Sequence, residues 1–131
     1  MKVLLDTNVL VAAFATRGLC EDVLRTVLTE HDLVLGETIL TELERVLVTK
    51  LRLPAERVRA VSNFLRDQCT VVQPTEQYPL PEDDPDDRWI VAAAIEASVD
   101  VVVTGDRHLL DIADKVPVTI VSPRGFWETL R

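Results

Sequence analysis

Four acidic positions spread along the chain, Asp6, Glu42, Asp87 and Asp106, are the residues whose types and settings could do chemistry. Each falls at or soon after the passage from an apolar run to the helix-forming stretch that follows it. Carboxylates gathered in one place are costly: two of them about 5 Å apart repel by about 3 kcal/mol at an effective dielectric near 20. Proton uptake or a divalent cation relieves that cost. Hard carboxylate oxygens suit Mg²⁺ or Mn²⁺ better than zinc, and no His or Cys stands at zinc-ligand spacing. A cation so held lowers the pKa of a bound water and neutralises charge developing on a phosphate. Phosphodiester hydrolysis is the chemistry such a group serves.

The elements that must position these acids follow from the hydrophobic pattern. Short apolar runs at 2–6, 33–35, 70–72, 101–104 and 118–121 read as strands, with helices between them. Helices are expected over 8–15, 19–30, 37–51, 54–67, 89–97 and 107–113. Ser122 as cap and Pro123 in the first turn open a last helix through Leu130. The strands lack apolar/polar alternation, as expected when helices cover both faces of a sheet. The alternation of strands with helices predicts an α/β sandwich with a mainly parallel sheet, built as one domain over 1–131. Residues 74–86 form the one long irregular stretch, and 82–87 hold five acids in six positions. Asp84 and Asp86 are assigned to that loop.

In open parallel sheets, ligands bind beyond the carboxyl ends of the strands. Asp6 closes the first strand, Asp106 follows the fourth by one glycine, and Asp87 opens the helix after the third strand and its loop. The helix after the second strand offers Glu42 and Glu44, flanking its apolar stripe on opposite sides; Glu42 is nearer the helix start by about 3 Å of rise. Read singly, each aspartate is an ordinary helix cap. The joint pattern is more informative, because every cap would have to coincide with the same edge of the sheet.

The formal net charge of −8 is unusual for a nucleic-acid binder. Neutralising four site carboxylates would halve it, so the acidity does not exclude such a substrate; it requires any basic track to be local. No apolar run nears the roughly 20 residues of a membrane span, and the chain meets Asp6 too early for a signal peptide. Cys20 and Cys69 have no pairing or metal spacing, which fits a reduced, cytoplasmic setting with idle thiols.

Four segments carry a resemblance to the PIN-domain family over nearly the whole chain. Val3-Leu4-Leu5-Asp6-Thr7-Asn8-Val9-Leu10 is similar to its first-strand signature, and Thr41-Glu42-Leu43 resembles its helix-borne glutamate, which selects Glu42 over Glu44. Asp84-Pro85-Asp86-Asp87 with Ala92-Ala93-Ala94 resembles the third acidic motif in a register that selects Asp87. Val103-Thr104-Gly105-Asp106 with Leu109-Leu110 resembles the fourth. The subgroup most similar is the toxin component of toxin–antitoxin pairs, the VapC-type toxins.

The resemblance implies a three-layer α/β/α sandwich around about five parallel strands, and Mg²⁺- or Mn²⁺-dependent cleavage of RNA. It also implies a homodimer and inhibition by a small antitoxin that inserts a segment into the groove. RNA in preference to DNA rests on the resemblance alone.

On this reading Asp6, Asp87 and Asp106 ligate one metal, with Glu42 bound through water or to a second ion. Thr7, Asn8 and Thr104 are candidates to orient the acids, and Arg17, Arg88, Arg107 and His108 are candidate phosphate contacts. Trp89 and Trp127 read as packing anchors. Competing readings fit less well. A phosphoacceptor receiver domain wants an acid pair at the first strand's end and an aspartate after the third. An aspartyl phosphatase wants an acid where Asn8 stands. A fold of this type that binds RNA or protein without cutting is the remaining alternative.

Overall fold

Apolar runs that are continuous, without alternation, need cover on both faces, and the arrangement supplies it. A computed structural model describes residues 1–80 and 85–130. The order is β1 (Lys2–Leu5), α1 (Thr7–Ala15), α2 (Leu19–Glu30), β2 (Asp32–Gly36), α3 (Glu37–Thr49), α4 (Ala55–Gln68) and β3 (Thr70–Val72). There follow α5 (Pro85–Glu96), β4 (Val101–Val103), α6 (Arg107–Asp111), a 3₁₀ turn (Ala113–Lys115), β5 (Thr119–Val121) and α7 (Pro123–Thr129).

The five strands form one sheet in the order β3-β2-β1-β4-β5, every neighbouring pair parallel. Leu4 on the central strand pairs with Val34 on one side and Val102 on the other. The chain steps outward from β1 through β2 to β3, then crosses back to β4 and steps out to β5. Right-handed crossovers then set α1–α4 against one face and α5 and α6 against the other, the three-layer sandwich expected from the sequence. The reversal of direction lies between β1 and β4, the switch point where open α/β sheets leave a crevice for ligands.

The core is one apolar cluster built on the sheet. Val3, Leu4, Leu5, Leu35, Val102 and Val103 are fully buried, capped by Leu10, Val27, Leu40, Leu47 and Val91 from the helices. Arg66 of α4 grips Glu37 at the start of α3 with two hydrogen bonds of 3.0 and 2.6 Å. Among the described residues no helix is long and apolar enough to cross a membrane.

One expected boundary is corrected. The irregular stretch does not run to Asp86, because α5 begins at Pro85. Proline is preorganised for a first helical position, and Asp86 and Asp87 in the first turn complement the positive end of the helix dipole. Asp86 is therefore a helix residue; Asp84 lies outside the described residues.

The expected cap of the last helix is present: Ser122 Oγ accepts from the Gly125 amide at 3.0 Å. Ser122→Ala is expected to cost about 1 kcal/mol, read as a melting point lower by about 4 °C.

Candidate active site

The seam between β1 and β4 is fastened where the two strands end. The Asp6 amide donates to the Val103 carbonyl at 3.0 Å, extending the ladder by one step. Asp6 then leaves the strand and caps α1, its Oδ1 accepting from the Thr7 amide at 2.7 Å. Its Oδ2 accepts from Thr104 Oγ1 at 2.7 Å and from Asn8 Nδ2 at 3.0 Å. Capping and site geometry are thus not alternatives for Asp6, since one carboxylate does both.

Thr104 and Asn8 tie this carboxylate to the β4–α6 turn. Thr104 Oγ1 accepts from the Asp106 amide at 2.9 Å while donating to Asp6. Asn8 Oδ1 accepts from the Gly105 amide at 2.8 Å. A Cβ at Gly105 would stand 3.2 Å from that oxygen, so the glycine leaves room for the clamp. Asp106 in turn caps α6, its Oδ1 accepting from the His108 amide at 2.9 Å.

The opposite wall comes from α3 and the first turn of α5. Asp6, Glu42, Asp87 and Asp106 line one cavity of about 430 Å³, together with Asp86. The four acids picked from the sequence therefore face a common space and not separate stretches of solvent. The Thr7 side chain and Asp86 both lie beside the Glu42 carboxyl, close enough to act on its charge.

The electrostatics carry the mark of crowding. Burial pushes the Asp6 carboxyl above its usual range, Asp106 adds to the rise, and the donors Thr104, Thr7 and Asn8 oppose it. Glu42 is also raised, first by burial, then by Asp86 and the charge of Asp6, against the opposing bond from Thr7. These groups hold protons more tightly than free carboxylic acids do, and a divalent cation would take the protons' place.

As the side chains stand, no three His, Cys, Asp or Glu groups among the described residues are gathered closely enough to grip an ion. The donor set nevertheless fits a hard cation, being all oxygen and lining one cavity. Mg²⁺ in particular keeps several waters and needs only one or two direct carboxylates.

The candidate phosphate contacts lie elsewhere. Arg17, Arg107 and His108 are exposed and Arg88 is half-buried, and none of the four lines the cavity. The cations that do line it are Arg45 and Lys50. Arg45 lies three residues after Glu42, one turn along the same helix face, a signal present in the sequence once Glu42 is chosen. Asp86 was missed because an acidic run reads as a solvated loop. Trp89 is half-buried but not only a packing anchor, since it lines a second groove beside Glu42 and Asp86. Glu44 lines neither space. Both thiols are unpaired and half-buried, and burial pushes that of Cys69 up to about 11.

Comparison with known proteins places this geometry. A family model described as a PIN domain matches residues 2–108. No curated protein matches the chain in sequence. Among solved structures, VapBC-1 from nontypeable Haemophilus influenzae is similar at TM-score 0.68 and 17% identity, covering 95% of this chain and 99% of its own. VapBC2 from Rickettsia felis, solved on a DNA fragment from its promoter, is similar at 0.67 and 14%, covering 93% and 98%. The PIN domain endonuclease Utp24 is similar at 0.58 and 18%, covering 92% and 84%.

Proposed function

Because this chain belongs to the PIN domain family, whose members include an endonuclease, we propose that it is a Mg²⁺- or Mn²⁺-dependent endoribonuclease. The observation that carries the proposal is the single cavity lined by Asp6, Glu42, Asp87 and Asp106. Asp6, Asp87 and Asp106 would hold the cation directly, with Glu42 acting through water or on a second ion. When bound, the cation supplies an activated water and neutralises charge on the phosphate under attack.

The chain's own residues do the rest. Thr104 and Asn8 fix the Asp6 carboxylate by the hydrogen bonds that also fasten β1 to the β4–α6 turn. Thr7 stands between the two walls, its amide donating to Asp6 and its side chain beside Glu42. Asp86 stands beside Glu42, and its negative charge adds to the crowding that raises the proton affinity of Glu42.

The toxin role belongs to the same proposal. Similarity to the VapBC structures over nearly their full length supports a small antitoxin as partner; a cytoplasmic homodimer is the working form this reading carries with it. Growth arrest on induced expression, relieved by co-expression of a small protein from a neighbouring reading frame, is the corresponding expectation.

The deciding measurement is incubation of the purified protein with end-labelled single-stranded RNA and DNA, with Mn²⁺, Mg²⁺ or chelator. Metal-dependent RNA fragments are expected. DNA fragments alone would make it a deoxyribonuclease, and binding without cutting would make it a non-cleaving module. Thr104→Val keeps the buried shape but removes the hydroxyl from Asp6; it is expected to raise the Mn²⁺ concentration for half-maximal cleavage by about 10–100-fold.

A further inference from the structure

A second groove, of about 550 Å³, opens beside the acid cavity and shares Glu42, Arg45 and Asp86 with it, so the two spaces adjoin at these side chains. Two facing helix stripes make it. On α3, Thr38, Thr41 and Arg45 follow one another at helical spacing; on α5, Asp86 and Trp89 do the same. Pro74 and Gln73, just past β3, complete the wall.

The lining is divided by chemistry. The Trp89 indole and the Pro74 ring give flat apolar surface, and the Thr38 and Thr41 hydroxyls and the Gln73 amide give hydrogen-bonding edges. Arg45 is the only cation among the lining residues. Glu37 also reaches the groove, but Arg66 holds its carboxylate in a two-bond pair and pulls its pKa down. The volume is that of a small-molecule site, enough for a single nucleotide.

We propose that this groove is a subsite for one unpaired nucleotide of the substrate strand next to the scissile phosphate. The base lies on Trp89 and the adjoining phosphate reaches Arg45. The inference rests on the nucleic-acid reading of the acid cavity and names the part of the substrate that the chain recognises. Unpaired bases are recognised by stacking on aromatic rings and by hydrogen bonds to their edges. Trp89 is already half-buried, so little freedom is lost on stacking. The Gln73 amide, which both donates and accepts, then gives a preference among bases at this one position.

The test is fluorescence anisotropy of labelled RNA hexanucleotides, one for each base, binding to the Asp106→Asn protein in Mg²⁺. Trp89→Ala is expected to weaken binding about tenfold, and Trp89→Phe to recover most of the loss. Thr41 is exposed, so Thr41→Tyr fills the groove from a surface position without disturbing the core, and is expected to weaken binding as strongly. In the otherwise native enzyme these changes raise KM more than they lower kcat.

Binding indifferent to both Trp89→Ala and Thr41→Tyr overturns the subsite and leaves the groove to a protein segment, as does failure of every hexanucleotide to bind. Binding that depends on Trp89 in a native protein that cuts nothing leaves the subsite standing and removes only the nuclease reading.

Discussion

Asp106→Asn is expected to reduce metal-dependent RNA cleavage by at least about a thousandfold, some 4 kcal/mol of barrier, with the fold intact. Asp106 is half-exposed, and its structural duty is to cap α6 through Oδ1 on the His108 amide. Asparagine caps helices as well as aspartate does, so the melting temperature should move by no more than about 2 °C. The change also removes a negative charge that raises the proton affinity of Asp6. Labelled RNA in Mn²⁺ beside a thermal melt makes the comparison, and a folded variant that still cuts at the native rate removes Asp106 from the machinery. Asp6→Asn is a poorer probe. The Thr7 amide, the Asn8 amide group and the Thr104 hydroxyl all donate to the Asp6 carboxylate, and a side-chain amide would set a donor against at least one of them.

The second large effect couples metal, protons and stability. Burial and neighbouring acids hold Asp6 above its ordinary 3.8 and Glu42 above its ordinary 4.5. In the folded chain these groups therefore bind protons up to a higher pH than in the unfolded one. Metal-free stability falls as pH rises through the interval between the ordinary and the raised values, and it does not recover above it. A cation that replaces those protons restores what was lost, so its stabilisation grows across the same interval. At a concentration of about 100 times Kd the gain is about 2.7 kcal/mol, a rise in melting temperature of about 10 °C at pH 7.5 for a domain of this size. The rise should be far smaller at pH 4 and should shrink in Asp106→Asn. A shift of the same size at both pH values would show that Mn²⁺ binds away from these carboxylates.

The strands were legible because each is an uninterrupted apolar run, the pattern of a sheet covered on both faces. The acids were legible because Asp6 and Asp106 stand at the ends of such runs, and Asp87 and Glu42 fall early in the helices that follow two others. Two things were not. The start of α5 was hidden by the charge of the acidic run, although Pro85 is a common opening residue; the error set Asp86 in a loop and away from Glu42. The cations of the cavity itself were hidden for a different reason. Arg17, Arg88, Arg107 and His108 are near the correct sheet edge in sequence, but the cavity wall is made by a face of α3. Which face that is depends on how α3 sits against α1 and α5, a fact of tertiary packing that periodicity alone does not contain. Lys50 is found only once the helices are in place, whereas Arg45 follows from Glu42 by helical spacing.

The floor of the cavity joins the first few residues of the chain to a strand that is made about a hundred residues later: Leu5 pairs with Val103, and the Asp6 amide bonds the Val103 carbonyl. A nascent chain still lacking its last third has β1 without one neighbour and Asp6 without Thr104. Contacts this distant in sequence form late, since the loop they close must be ordered first. During synthesis the carboxylate cluster therefore cannot assemble until residue 106 has left the ribosome, however early β1 and the helices after it take shape.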